Sequence, residues 1–185
     1  MIDSNDTLTY STAGNIKREQ GAIEFWVRPN WDGADGQTHF LFEAGSGWFN
    51  RILVLKDGAN NLRFLMWDSA NEYGAGCGVG HWKSGEWHHV AATWSETQLW
   101  LYVDGELRNH GAAKPPDAIG TLLSIGASVE SRDRQANALI DEFRISDIAR
   151  VGNSDTSRYR VLVADSGNNE VGLHSGDCAC ATALL

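Results

Sequence analysis

Between Trp87 and His110 the chain reads as three successive strand segments with a turn signal at each break, and the middle segment alternates apolar and polar side chains. Trp87 to Trp94 is the first segment, and Ser95-Glu96-Thr97 is the turn that follows. In the second, Leu99, Leu101 and Val103 alternate with Gln98, Trp100 and Tyr102. Asp104-Gly105 then supplies two residues that tolerate positive φ, a strong signal for a tight hairpin onto Glu106 to His110. A period of two means that one face of each strand is buried and the other is not. The same pattern recurs upstream. Ile23, Phe25 and Val27 alternate with Glu24, Trp26 and Arg28, and Pro29 ends the run because it cannot donate to a ladder. His39 to Glu43 is a further strand. Ile52 to Lys56 and Leu62 to Trp67 flank a turn-rich Asp57-Gly58-Ala59-Asn60-Asn61 and form a hairpin. No segment of about ten residues or more has a clean 3.6-residue period. The expected class is therefore all-β.

Downstream, Leu122 to Gly126 and Ala138 to Ser146 read as strands, and Asp147 to Arg150 as one helical turn. Arg158 to Ala164 reads as a last strand. The Gly-rich stretch Tyr73 to Gly80 has no clear pattern. Roughly ten to twelve short strands at this spacing suit a β-sandwich. With 185 residues and 42% hydrophobic content, one such domain can bury a core without metal or disulfide staples. The three cysteines, Cys77, Cys178 and Cys180, do not make a disulfide framework. No run approaches the ~20 apolar residues of a membrane span. A net charge of -9 without a Lys/Arg cluster argues against nucleic acid and anionic membranes as partners. The polar start Met1 to Asp6 carries no secretory signal, so the chain is expected to be either cytoplasmic or a piece of something longer.

Three blocks, in order, resemble the laminin-G-like jelly-roll domains of the concanavalin-A-like superfamily. They are Gly21 to Pro29; Gly85 to Trp94 with Leu101-Tyr102-Val103-Asp104-Gly105; and Leu123-Ser124-Ile125-Gly126 with Ile140 to Ser146. The resemblance implies a two-sheet antiparallel jelly-roll β-sandwich over residues 1–150. It also implies a module of extracellular, cell-surface or phage-associated proteins that binds sugars or proteins, often with calcium at the sandwich rim. Residues 151–185 are expected to be a final strand plus tail. Within them, Tyr159 to Val171 resembles one NHL-type propeller repeat. One repeat cannot bury its own faces, so this segment either begins a further domain or completes the sandwich.

The superfamily includes glucanases and lyases, but the sequence is read as non-catalytic. A retaining glycosidase sets two carboxylates ~5–5.5 Å apart. Glu24 has no acidic partner at 22, 26 or 28, and the adjacent Asp141 and Glu142 are expected on opposite faces of their strand. The same parity argument separates His88 from His89, so they are read as structural rather than as a metal pair.

Eight tryptophans point instead to binding, since an indole combines a flat apolar face with a donor. Trp26, Trp87 and Trp94 lie in the fold-defining blocks and are expected to support the fold. Trp31 and Trp82 are expected to cover an edge. Trp100 and Tyr102 face away from the core, as a sugar platform or a surface covered by a loop. Trp48, beside Phe49 in a Gly-Ser-Gly loop, is a candidate contact. Trp67 is another, beside Asp68, Asn71, Glu72 and Tyr73, whose polar groups suit sugar hydroxyls. Asp32 and Asp35, in Asp32-Gly33-Ala34-Asp35-Gly36, are candidate Ca2+ ligands or simply a polar turn. The expected partners are a glycan or polysaccharide, or alternatively a protein surface.

Overall fold

The computed structural model describes residues 8–45, 47–130 and 135–151, with the backbone of 161–162 and 173–174. The described strands are β1 (Leu8–Ser11), β2 (Gly21–Pro29), β3 (His39–Ala44), β4 (Arg51–Lys56), β5 (Asn61–Trp67), β6 (Glu72–Gly78), β7 (His88–Trp94), β8 (Gln98–Val103), β9 (Glu106–Ala112), β10 (Leu122–Ile125) and β11 (Ala138–Ser146), followed by the short β12 (Val161–Leu162) and β13 (Leu173–His174). One sheet runs β1-β10-β3-β4-β5-β6 and the other β11-β2-β7-β8-β9. Every pairing is antiparallel. The result is a jelly-roll sandwich.

Alternation decides which side chains meet between the sheets. Ile23, Phe25, Val27, Val90, Ala92, Leu99, Leu101 and Ile140 come from the five-stranded sheet; Phe42, Ile52, Val54, Leu62, Phe64, Met66 and Leu123 come from the six-stranded one. Phe143 bridges the two, with ring centroids 5.5 Å from Phe25 and 5.7 Å from Phe42. The β8–β9 hairpin closes as its Asp-Gly pair requires, with φ of 53° at Asp104 and 80° at Gly105. Asp104 also accepts the His89 amide at 2.8 Å, tying the turn to β7.

One end of the sandwich is plugged by four stacked rings. Centroids lie 4.5 Å apart for His39–Trp31, 6.3 Å for Trp31–Trp82 and 4.0 Å for Trp82–His88. Trp31 and Trp82 are thus buried in the end of the core. Lys56, fully buried, is ion-paired with Asp35 beside this stack.

Several expectations need correction. The Gly-rich stretch is strand β6. Its glycines admit the side chains of β5: a Cβ at Gly74 would lie 2.6 Å from Leu65 Cδ2. Asp147 to Arg150 is not a helical turn. The Arg150 amide donates to Thr93 Oγ1 at 2.7 Å and its guanidinium to Glu24 at 2.7 Å, which draws the segment along the five-stranded sheet. Asp141 and Glu142 are not on opposite faces. A bulge between Asp141 and Arg144, with Glu142 at φ 49°, breaks the parity and turns both into one cleft. Trp26 and Trp87 are not core residues; both face solvent, whereas Trp94 is buried and donates to Lys17 O at 3.2 Å. Of the expected last strand, Val161–Leu162 pairs with Leu173–His174 in a separate two-stranded sheet. Most of the repeat-like segment lies outside the described residues.

Candidate functional site

Because Ile52 and Val54 of β4 and Phe64 and Met66 of β5 point into the core, Arg51, Leu53, Leu65 and Trp67 point out. The register sets Arg51 opposite Trp67 and Leu53 opposite Leu65 on this outer face. Phe40, Leu53, Leu55 and Leu65 form a small second apolar cluster there, with Trp67 packed against it. The loop between β3 and β4 turns back at Gly45 and Gly47, with φ of 110° and 85°, and delivers Trp48 and Phe49 to the same face.

The four residues meet. The Arg51 guanidinium lies 5.8 Å from the Trp48 ring centroid and 5.8 Å from that of Trp67. Phe49 meets Trp67 edge-on at 5.8 Å. Trp48 is 72% exposed and Phe49 45%. Beneath them Arg51 bonds the buried carboxylate of Glu43 at 3.1 Å, and Glu43 also accepts Ser128 Oγ and the Val129 amide, each at 2.8 Å. The Arg51 charge is thereby matched locally, so the patch presents flat aromatic area over a neutral, hydrogen-bonding base. Two of its donors, Trp67 Nε1 and Arg51 Nε, are buried with no hydrogen-bond partner among the described residues. Leaving a buried donor unsatisfied costs about 1–3 kcal/mol.

The other residues expected at a site have different settings. Asp68 is inaccessible and accepts the Ala70 and Asn71 amides at 2.7 and 2.6 Å, Tyr73 Oη at 3.3 Å and Lys114 Nζ at 2.9 Å. The Lys114 hydrogen bond, with the two amides, holds its carboxyl well below the usual range. Asp68, Asn71 and Tyr73 thus lock the loop after Trp67, and Asp68 has little left to offer a ligand. Trp100 and Tyr102 do face away from the core, half-buried, opposite Thr93 and Ala91. They lie on the outer face of the five-stranded sheet, so one small ligand cannot touch them and Trp67 together.

Asp32 and Asp35 do not fit a calcium site. Ca2+ takes ~6–8 oxygen ligands. Burial would raise the Asp35 pKa, but Lys56, His39 and the Gln37 amide outweigh it and hold the carboxyl at about 2. That carboxylate is thus already neutralised by an ammonium. Asp32 Oδ1 accepts the Ser84 amide at 3.0 Å. Among the described residues no three His, Cys, Asp or Glu side chains gather as metal ligands. His88 stacks inward on Trp82, while His89 lies outside against Trp26 at 5.2 Å.

Sequence reasoning missed Arg51 and Glu43. The β4–β5 hairpin, once assigned, contains the signal for Arg51, since the pairing that ends at Trp67 begins at Arg51. Nothing local marks Glu43, whose partners Ser128 and Val129 are far along the chain.

A family model described as the concanavalin A-like lectin/glucanases superfamily, of laminin G type, matches residues 3–154. Among solved structures, mouse laminin alpha1 chain domains LG4-5 are similar at TM-score 0.56 and 16% identity, covering 75% of this chain and 37% of that one. Domain 4 of AbnA, a GH43 extracellular arabinanase from Geobacillus stearothermophilus in complex with arabinotriose, is similar at TM-score 0.57 and 19% identity, over 72% of this chain and 63% of that one. The Ruminococcus gnavus IT-sialidase CBM40 bound to alpha2,3 sialyllactose is similar at TM-score 0.53 and 14% identity, over 74% and 78%. The chain therefore spans less than two thirds of the first two. At these identities the likeness carries the fold. No curated protein sequence matches the chain.

Proposed function

The chain belongs to the concanavalin A-like lectin/glucanases superfamily, and from that premise we propose that it is a non-catalytic carbohydrate-binding module of a larger extracellular or surface-displayed protein. The observation that carries the reading is the Trp48–Arg51–Trp67 patch. Its exposed indole offers a stacking face for the apolar side of a pyranose ring. Beside it two buried donors have no partner among the described residues, and sugar hydroxyls are acceptors of suitable size. Two similar structures add support, since the arabinanase domain is described with arabinotriose and the sialidase module with sialyllactose. An extracellular setting draws on the arabinanase, which is described as extracellular.

The non-catalytic part of the reading rests on the two acids that share a cleft. Asp141 and Glu142 are both exposed, and Glu142 faces Arg144 at 3.3 Å. Glycoside hydrolysis needs one acid shielded from water so that it holds its proton.

Glycan-array and affinity-gel screening of the full chain, with Trp48→Ala and Trp67→Ala, tests the proposal. Retention by at least one neutral oligosaccharide, reduced about tenfold by either variant, is expected from the loss of one stacked ring. Failure of every glycan to retard the wild type would sink it. A second reading, a protein-interaction module, has its own observation: Leu107 is 49% exposed on β9, opposite the outward Tyr102. Light scattering that shows a clean monomer and no Tyr102-dependent association would count against it.

A further inference from the structure

The outer face of the five-stranded sheet holds a shallow cleft of about 320 Å³ lined by Trp26, Trp87, Asp141 and Glu142. It lies on the opposite side of the sandwich from Trp48 and Trp67. Alternation along β2 sends Trp26 outward, and the register places Asp141 directly across from it on β11. Side chains so paired sit about 5 Å apart at Cβ. The bulge that follows brings Glu142 into the same space. Trp87, just ahead of β7, forms the other wall, with the Arg28 guanidinium 5.5 Å from its centroid. Trp26 and Trp87 are 39% and 37% exposed.

The charges in this cleft are only partly answered. Asp141 Oδ1 accepts the Glu142 amide at 2.8 Å, and among the described residues Asp141 makes no ion pair. Glu142 has Arg144 at 3.3 Å, but the two side chains are 59% and 44% exposed, so water screens the pair. Indole faces attract cations through the ring quadrupole. They also stack on flat apolar faces. A net charge of -9 adds a general attraction for cations. An anionic sugar is repelled here, and a neutral one makes no use of the Asp141 charge. With the Arg28 guanidinium already over Trp87 and His89 beside Trp26, a ring with one apolar face and a protonated amine uses the remaining indole area and both carboxylates.

We propose that this cleft binds an amino sugar, with its free ammonium group at Asp141 and Glu142 and its ring face against an indole. The site is separate from the Trp48–Arg51–Trp67 patch. A free-amine sugar rather than a lysine side chain is favoured because two indole walls and ~300 Å³ suit a ring, at the small end of ligand pockets.

The test is calorimetric titration of the full chain at mildly acidic pH with three probes: a fully deacetylated glucosamine trimer, its N-acetylated counterpart and trilysine. The deacetylated trimer binds about tenfold more tightly than the acetylated one, the joint effect of two partly exposed charge contacts. Asp141→Asn/Glu142→Gln abolishes that difference, while Glu96→Gln/Glu106→Gln, which changes net charge equally at exposed positions elsewhere, preserves it. Thermal melts of both doubles confirm folding. Equal affinity for the two trimers overturns the proposal, as does a preference that survives Asp141→Asn/Glu142→Gln. Trilysine binding as tight as the amino sugar, and lost in that same variant, also overturns it and reassigns the cleft to basic peptides. Because the readout is a difference between two sugars at residues remote from Trp48, it stands or falls independently of the neutral-glycan screen.

Discussion

Replacing Arg51 by Met tests how the base of the aromatic patch is held. Arg51 is 15% exposed and Glu43 1%, so their 3.1 Å bond is made away from water. Removal of Arg51 leaves a buried carboxylate without its counter-charge, which costs ~3–5 kcal/mol when nothing else satisfies the group. Here Ser128 Oγ and the Val129 amide still donate to Glu43 at 2.8 Å. Each bond to a charged group retains ~1.5 kcal/mol or more. The expected cost of Arg51→Met is therefore about 2 kcal/mol, below the ~3–5 kcal/mol of a buried charge left with no other partner. That is ~4–8 °C in Tm for a domain of this size. Glu43→Gln in the Arg51→Met background removes the orphaned charge. The double variant should recover about half of the loss, giving a coupling of at least ~1 kcal/mol in a double-mutant cycle. Urea denaturation followed by tryptophan fluorescence measures all four corners. Additive effects, or an Arg51→Met cost below ~0.5 kcal/mol, would refute the view that Glu43 depends on Arg51.

Two further outcomes follow from the fold. The Asp35 carboxyl is held at about 2, below the ordinary 3.8, so its stabilising contribution is present above about pH 4 and is lost as pH falls toward 2. Asp35→Asn should cost at least ~2 kcal/mol at neutral pH, because it also leaves the buried Lys56 ammonium without its counter-charge, and flatten the acid limb of a Tm-against-pH curve; an unchanged acid limb would contradict the assigned partners. Gly33→Ala should prevent folding or cost more than ~3 kcal/mol, because its Cβ would lie 1.8 Å from the Val79 carbonyl oxygen, which is backbone and cannot rotate aside. A near-wild-type circular dichroism melt would show that the loop before β3 relaxes freely.

The sandwich was readable wherever parity holds. Leu99, Leu101 and Val103 are buried and Trp100 is not, as a period of two demands. Asp104-Gly105 closes the hairpin that its φ tolerance announces. Parity failed at Asp141 and Glu142, because one extra residue in a bulge reverses every facing argument beyond it and leaves no composition signal. Strand β6 was hidden for a related reason: Gly74 and Gly76 carry no side chain to alternate, and the Leu65 and Arg63 side chains lie over the space a Cβ would take. At the candidate site the two outstanding indoles, Trp48 and Trp67, were legible and converge on Arg51. Asp68 was misleading. Its oxygens look free for a ligand until Lys114, 46 positions away, is seen to hold them. Long-range partners of that kind leave no trace in a single sequence.

The ring stack that plugs one end of the sandwich has an optical consequence. Trp31 and Trp82 are nearly parallel at 17° and sealed from solvent, whereas Trp48, Trp26 and Trp87 are exposed on two opposite outer faces. Near-ultraviolet circular dichroism arises from aromatic groups in fixed asymmetric surroundings and disappears when tertiary packing loosens. The plug, together with the buried Trp94, should therefore dominate that spectrum, while an aqueous quencher reaches the outer indoles. One molecule thus carries two independent gauges: the dichroism reports whether the core of the sandwich and its plugged end are shut, and the quenching reports what has settled on its faces.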